Sequence, residues 1–412
     1  MTDPVRDQYE ALPYPARDPG DEAKRLIEGS PSHLLEVNHY VFAGRRDFAR
    51  PFRALVAGGG TGDATVMLAQ HLADRGCPAE VVHLDLSDAA IRVAAARAGA
   101  RSLGFVRFVA GSLEDLPGLG LGRFDYIDCC GVLHHLADPA AGLGILAAAL
   151  EEGGGIGLML YGALGRTGVY HLQAMLRLLA PAESVAVRLD LARRLLRQLP
   201  PTNWFARNPA VGDHLLAGDA GLYDLLLHAR DRAFTVPEIV DLAAGAGLAI
   251  AAFIEPWRYR PESYLNDPVL LERLAGLDGE DAAGLAEQLA GNLKSHICYL
   301  VAAGRAASAV ARPDDPSAVP VLRDGNVLAK GLKPGGGLTV RIDGIEASFA
   351  LPRRAGPILA RIDGRRTLRE IHDDLAASDR GRLDWATFKA DFDRVYALLN
   401  GLNRLFVTYP AG

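Results

Sequence analysis

Four cysteines in 412 residues are too few, and too badly spaced, for a disulfide framework or a zinc site. Cys77, Cys129, Cys130 and Cys298 never form a C-x-x-C pair, so inert buried thiols in a reduced, cytoplasmic protein are expected, and no metal. Also missing is any uncharged apolar run near the roughly 20 residues a membrane-spanning helix needs. The opening MTDPVRDQYEALPYP is acidic and proline-rich, unlike a secretory signal. Neither charge dominates: 44 basic residues face 50 acidic ones, a net charge of −6. That balance argues against a nucleic-acid partner or a membrane surface. What the chain does have is apolar residues, 49% of the total, at a length that suits two domains.

From 51 to 305 the pattern is that of one α/β domain. Apolar strand-like runs at 54–57, 81–84, 105–109, 126–129 and 156–161 alternate with helical runs at 64–73, 88–98 and 140–150. Such alternation implies a doubly wound, parallel sheet covered on both faces. Leucine and arginine then recur at helical spacing through 163–235, which reads as a helical insertion over the mouth of the sheet. Thr235 caps the next helix with Pro237 in its first turn, and 248–254 and 296–302 read as the last two strands. Residues 306–320, rich in Ala, Pro, Asp and Ser, have linker composition. Beyond them, 321–412 carries a hairpin pattern, a capping-box helix from Thr367 and Glu370, a longer helix over 385–399 and a returning strand. This reads as a small α+β, winged-helix-like domain.

The densest signal is ALVAGGGTGD, residues 54–63: a buried strand that breaks into a glycine turn. Such a backbone turns tightly and lets a ligand lie against it. A dinucleotide fingerprint requires glycine at the sixth position counted from Gly58, where this chain has Asp63. A carboxylate at that helix start, able to cap the helix, would repel a pyrophosphate. The pattern Gly58, Gly60, Gly62 suits a cofactor with a cationic amino-acid end, which weighs against a nucleotide-dependent oxidoreductase. Asp85, one βαβ step further on, can accept two hydrogen bonds from a ribose diol.

In this order of pieces the sequence resembles the class I S-adenosylmethionine-dependent methyltransferases. LVAGGGTGD matches the family's glycine loop, VVHLDLS its ribose-binding acid, FVAGSLEDLP its adenine loop, FDYIDCCGVLHHLADP its fourth strand and LEEGGGIGLMLY the approach to its fifth. The resemblance implies a Rossmann-like sheet that holds S-adenosylmethionine and releases S-adenosylhomocysteine. It implies cofactor contacts at Ala57, Gly58, Gly60, Gly62, Asp63, Asp85, Leu86, Ser112, Leu113 and Cys130. The chain departs from the family at Val56, where an acid that helps hold the cofactor's ammonium is common, and at Ser112, which often is Asp. GVLHHLADP and QYEALPYP are similar to a bacterial subgroup of uncharacterised methyltransferases, a likeness that brings no acceptor with it.

The sulfonium methyl is already activated, so positioning a nucleophile supplies much of the acceleration and a base is needed only for a protonated acceptor. His134 and His135, after the fourth strand, and His171, at the start of the insertion, are the candidate bases. Tyr161 and Tyr170 are candidates for the acceptor side. In the resembled family, segments ahead of the first strand often close over the cofactor, so residues 1–50 are expected to form a lid. Tyr14, His39 and Tyr40 would belong to it, with Tyr9, His33 and Asn38 nearby, and Arg45 or Arg46 on the cofactor carboxylate. No Asn/Asp-Pro-Pro-aromatic motif and no Pro-Cys nucleophile occurs, which removes amide-type and cytosine-C5 chemistry. The expected activity is methyl transfer to an O or N atom of a small molecule or a peptide or protein side chain. The C-terminal domain would serve homodimerisation or peptide capture. The alternative is a cofactor-binding scaffold or sensor without turnover.

Overall fold

The computed structural model describes residues 4–181, 183–212, 215, 217–323, 325, 337–378 and 381–410. Its centre is a seven-stranded sheet: β1 (Phe52–Ala57), β2 (Ala79–Asp85), β3 (Val106–Ala110), β4 (Phe124–Cys130), β5 (Leu150–Tyr161), β6 (Leu248–Phe253) and β7 (Ser295–Ala302). The order is β3-β2-β1-β4-β5-β7-β6. The first five strands are parallel, while β7 runs antiparallel to both β5 and β6. The sheet is therefore mixed, not wholly parallel: helices still separate the strands after β5, but β7 is inserted antiparallel between β5 and β6. The strand order reverses beside β1, whose neighbours are β2 and β4, so a crevice opens at their carboxyl ends.

Side chains of β1 alternate between two buried layers. Leu55 and Ala57 pack with Val82, Leu84, Ile127 and Cys129, while Ala54 and Val56 pack on the other face with Val81 and Tyr126. Covered on both sides, the central strands read as continuous apolar runs. Helices follow the strands: α1 (Pro4–Ala11) and α2 (Leu34–Val41) precede β1, α3 (Asp63–Asp74) and α4 (Asp88–Ala100) flank β2, and α5 (Pro139–Ala148) precedes β5. The insertion contributes α6 (Val169–Leu179), α7 (Val185–Gln198) and α8 (Gly218–Leu226), with a core of its own around Leu172, Leu176, Leu189, Phe205 and Tyr223. Helix α9 (Val236–Gly245) opens on the expected capping box between Thr235 and Glu238.

The stretch with linker composition is packed down. Residues Ala306–Ala309 form a short helix, Ala309, Ala311 and Ala318 are buried, and strand β8 (Val319–Leu322) follows. Strand β8 pairs antiparallel with β11 (Leu405–Thr408), while the hairpin β9 (Gly337–Ile342) and β10 (Ile345–Ala350) stands as a separate sheet. The returning strand thus joins β8 rather than the hairpin. Helices over Leu368–Ser378 and Trp385–Gly401 bury Leu368, Ile371, Phe388, Phe392 and Val395 against β11. Among the described residues no helix is long and apolar enough to cross a membrane.

Candidate functional site

The glycine turn is built by contacts no side chain would survive. Gly58 has φ +72, and a Cβ there would lie 2.3 Å from Val132 Cγ2. Gly62, at φ +96, is the N-cap of α3; it takes the place expected for Asp63, which instead is the first residue of the helix. The turn opens into a cavity of about 340 Å³ lined by Gly58, Gly60, Asp85, Leu86, Ser112, Asp128, Cys130, Tyr9, Tyr14, His135, Tyr161, Asp224 and Arg230 among others.

Asp85 is aimed by backbone donors. Gly60 N–H reaches its Oδ2 at 2.7 Å and Ser87 N–H its Oδ1 at 2.8 Å. Burial pushes this carboxyl up, and those N–H groups oppose the shift. Ser112 caps the turn Leu113–Gly118, with its hydroxyl accepting from Glu114 N–H at 3.2 Å. Asp63 lines the cavity but is spoken for: Arg17 binds it with two donors, at 2.8 and 2.6 Å, and Arg97 Nη1 lies 2.6 Å away. Burial would raise its carboxyl; the two guanidiniums outweigh that and hold it low. Ala57, Gly62 and Leu113 do not line the cavity. Ala57 and Leu113 point into the apolar layer, and Gly62 packs on Ala94.

The far end of the cavity is a cluster brought from four segments. Asp224 of α8 accepts from Tyr9 at 3.1 Å and from Tyr161 at 3.0 Å. The Arg230 peptide touches two imidazoles: its carbonyl lies 2.8 Å from His135 Nδ1, and its N–H lies 3.0 Å from His228 Nδ1. A carbonyl only accepts, so His135 carries its proton on Nδ1 and keeps a lone pair on Nε2. An N–H only donates, so His228 carries its proton on Nε2, which it gives to the Tyr9 oxygen at 3.2 Å. The rings of His135 and His228 stack at 3.8 Å. Burial holds His135 down to about 4 and His228 down to about 2, so both are neutral near pH 7. The ligand atoms of His135, Asp224 and His228 lie within 4.8 Å of one another. With its Nε2 protonated, His228 offers no lone pair there, and the cluster is a hydrogen-bonded one.

Several expected residues lie elsewhere. His134 is buried beneath the cavity wall, stacked on Tyr161 at 3.9 Å, with burial holding its pKa well below normal. His171 is exposed on α6, since its helical position faces away from the insertion core. Tyr170 sits half-buried beside Arg166, outside the cavity. His39 and Tyr40 are not in a lid. Helix α2 buries them against the C-terminal unit, where His39 meets Val407, Tyr396 and Asn400, and Tyr40 stacks on Tyr299 and bonds Asn403. Arg45 lies over Tyr409 and Arg46 pairs with Asp125, so neither reaches the cavity. The polar groups missed in the sequence are Asp128, Asp224, His228 and Arg230. Only their fold-dependent convergence marks them.

A family model described as a methyltransferase domain matches residues 55–156. An uncharacterized protein of Synechococcus sp. is 30% identical over 272 residues, covering 64% of this chain and 62% of that one. The ubiquinone/menaquinone biosynthesis C-methyltransferase of Methylobacterium nodulans is 42% identical over 93 residues, 23% of this chain and 35% of the relative. The chain thus spans less than two thirds of the length of either curated relative. Among solved structures, PKMT2 from Rickettsia typhi superposes with a TM-score of 0.65 at 13% identity, over 92% of this chain and 76% of that one. The same protein in complex with AdoHcy gives 0.62 at 15% identity, with the same coverage. The likeness to PKMT2 is one of fold.

Proposed function

We propose that this chain, which matches a methyltransferase-domain model over residues 55–156 and shares the fold of PKMT2, transfers a methyl group from S-adenosylmethionine to an O or N atom of a small molecule or of a peptide or protein side chain. The observation that carries the reading is the single cavity running from Gly58, Gly60 and Asp85 to Tyr9, His135, Tyr161 and Asp224. A glycine turn for close approach and a buried carboxylate for a ribose diol suit the cofactor at one end. A neutral base and a carboxylate holding two phenols suit an acceptor at the other.

Bound S-adenosylmethionine supplies a methyl on a sulfonium, open to in-line displacement. The chain's own part is to hold the partners in line, worth on the order of 7–11 kcal/mol. His135, fixed by the Arg230 carbonyl, turns Nε2 towards the acceptor and takes its proton where one must leave. Tyr9 and Tyr161, anchored on Asp224, orient the acceptor. Residues 4–24 act as the lid: Thr61 Oγ1 donates to the Pro15 carbonyl at 2.7 Å, and Tyr9 and Tyr14 line the cavity. The C-terminal unit, read as winged-helix-like, would dimerise or capture a peptide acceptor. Its helices and the β8–β11 pair support that reading, although the hairpin stands as a separate sheet, and a monomer in sedimentation would end the dimer.

Titration calorimetry with S-adenosylmethionine and S-adenosylhomocysteine tests the cofactor. Asp85→Ala should abolish both titrations, and label from methyl-labelled cofactor should appear in acceptors of a lysate. A melting temperature that no adenosyl ligand raises would sink the proposal, because ligand at 100 times Kd adds about 2.7 kcal/mol.

A further inference from the structure

The glycine loop of this chain lacks an acid just before its first glycine: Val56 stands there. In the sheet, Val56 is paired in register with Asp128 of the neighbouring parallel strand β4. Residues paired across a parallel ladder project to the same face. Asp128 therefore stands one strand over from the place an acid at 56 would occupy, and both residues line the cavity.

Its surroundings are those of a carboxylate lacking a counter-charge. Asp128 is 1% exposed. Ser32 Oγ donates to its Oδ2 at 2.5 Å, and the Cys130 backbone N–H also reaches it. Among the described residues no arginine, lysine or histidine is within ion-pair distance of it. Burial alone pushes this carboxyl up to about 6, with the Ser32 hydroxyl opposing. Other acids along the cavity are differently engaged. Asp63 carries two guanidiniums, Asp85 is set at the glycine turn by Gly60 and Ser87, and Asp224 holds two phenols.

Ser32 is held for this contact at some cost. Its φ is +84, a region that β-substituted residues rarely enter. Its hydroxyl accepts from Tyr126 OH at 3.1 Å while donating to Asp128, and its N–H donates to Tyr299 OH at 3.3 Å. The carboxylate is thus aimed from below, with its upper side left to the cavity.

We infer that Asp128 is the counter-charge for the ammonium of S-adenosylmethionine, replacing across the strand pair the acid absent at Val56, with Ser32 as its positioning residue. The inference rests on the cofactor reading above. It assigns the amino-acid end of the cofactor to the junction of β1 and β4, and the ribose to Asp85.

Three ligands separate the possibilities: S-adenosylhomocysteine, its analogue with hydroxyl in place of the ammonium, and 5′-methylthioadenosine, which has no amino-acid end. Wild type should bind the deaminated analogue on the order of 30- to 300-fold more weakly than S-adenosylhomocysteine. Asp128→Asn should lose affinity for S-adenosylhomocysteine by a similar factor, yet bind methylthioadenosine within about twofold of wild type, which also certifies its fold. Equal binding of the deaminated and parent ligands by wild type would overturn the assignment without any variant. So would an Asp128→Asn protein that loses both ligands alike or neither. A wild type that binds methylthioadenosine but not S-adenosylhomocysteine also overturns it, with the nucleoside site intact. Binding of none of the three overturns the cofactor reading itself, and this inference with it.

Discussion

Arg17 grips Asp63 with both arms of its guanidinium, Nε to Oδ1 at 2.8 Å and Nη2 to Oδ2 at 2.6 Å, and so ties the N-terminal segment to the first turn of α3. An acid at a helix N-terminus is favourable in itself. Here it also serves as the latch post for a strap that crosses the glycine turn, and Arg97 braces it from behind. The pair is about 30% exposed on each side, 29% and 31%, so its contribution to global stability is modest. On the proposed lid its contribution to closure is expected to be larger.

Arg17→Met should therefore speed release of S-adenosylhomocysteine about tenfold while lowering the melting temperature only slightly. Stopped-flow displacement measures the first and calorimetric scanning the second. A variant with unchanged off-rate would show that the strap does not gate the cavity. Arg17→Lys should restore little, because one ammonium cannot reproduce the two-point contact.

At Gly58, Ala combines two penalties: φ +72, and a Cβ 2.3 Å from Val132 Cγ2. The left-handed conformation alone costs on the order of 1–2 kcal/mol. Gly58→Ala should lower stability by at least that amount and remove cofactor binding, read by urea unfolding and by calorimetry. Adding Val132→Ala relieves the clash but not the φ, so stability should recover only in part. Full recovery would mean that the turn tolerates an L-residue.

Acid should weaken this fold through its buried histidines. His39, His83 and His135 are held by burial near 4, against about 6.5 in the unfolded chain. Between those values the unfolded state binds more protons, so stability rises with pH; it is complete above 6.5 and lost as pH falls towards 4. Each contributes on the order of 3 kcal/mol. Asp128, raised to about 6 from an unfolded value near 3.8, has the opposite slope and cancels part of one histidine. Urea unfolding at pH 4.5, 5.5, 6.5 and 7.5 should give a curve rising to about 6.5. Asp128→Asn should steepen it and His135→Gln should flatten it. A curve level across this range would contradict the burial of these rings.

Much of the cofactor end was legible because its signals are local. A glycine turn after a buried strand, and an acid one βαβ step later, follow from backbone sterics and chain spacing, and Gly58, Gly60 and Asp85 all line the cavity. The acceptor end was legible only in fragments. Tyr161 ends β5 and His135 lies in the turn just past β4, but Asp224 arrives from a helix 63 residues beyond Tyr161, and no periodicity announces that meeting. Asp128 hid for a related reason: within FDYIDCC it reads as one polar residue in an apolar strand, and only register with Val56 gives it a role. His39 and Tyr40 misled because polar aromatics suggest a ligand surface. Their partners, Val407 and Asn403, lie more than 360 residues away at the far end of the chain. The antiparallel β7 was hidden too, since strand direction leaves no mark in a buried apolar run.

The hydroxyl of Tyr9 joins α1 to the insertion: it donates to Asp224 on α8 and accepts from His228 Nε2, while Ser87 Oγ donates to the Tyr9 carbonyl at 3.3 Å. Tyr9→Phe leaves a buried carboxylate oxygen and an imidazole N–H each short of a partner. A group so stranded costs on the order of 1–3 kcal/mol. Asp224→Asn leaves one acceptor oxygen for two donating phenols, so Tyr9 and Tyr161 compete for it. The two changes break one network, so their costs should not add; a coupling of about 0.5–3 kcal/mol is expected in a double-mutant cycle. Hydrogen exchange supplies the spatial check. In either variant, amides of Pro4–Ala11 should exchange faster, while those of β1 and β4 stay protected. Additive costs, with exchange in α1 unchanged, would mean that Tyr9 and Asp224 do not hold the lid closed.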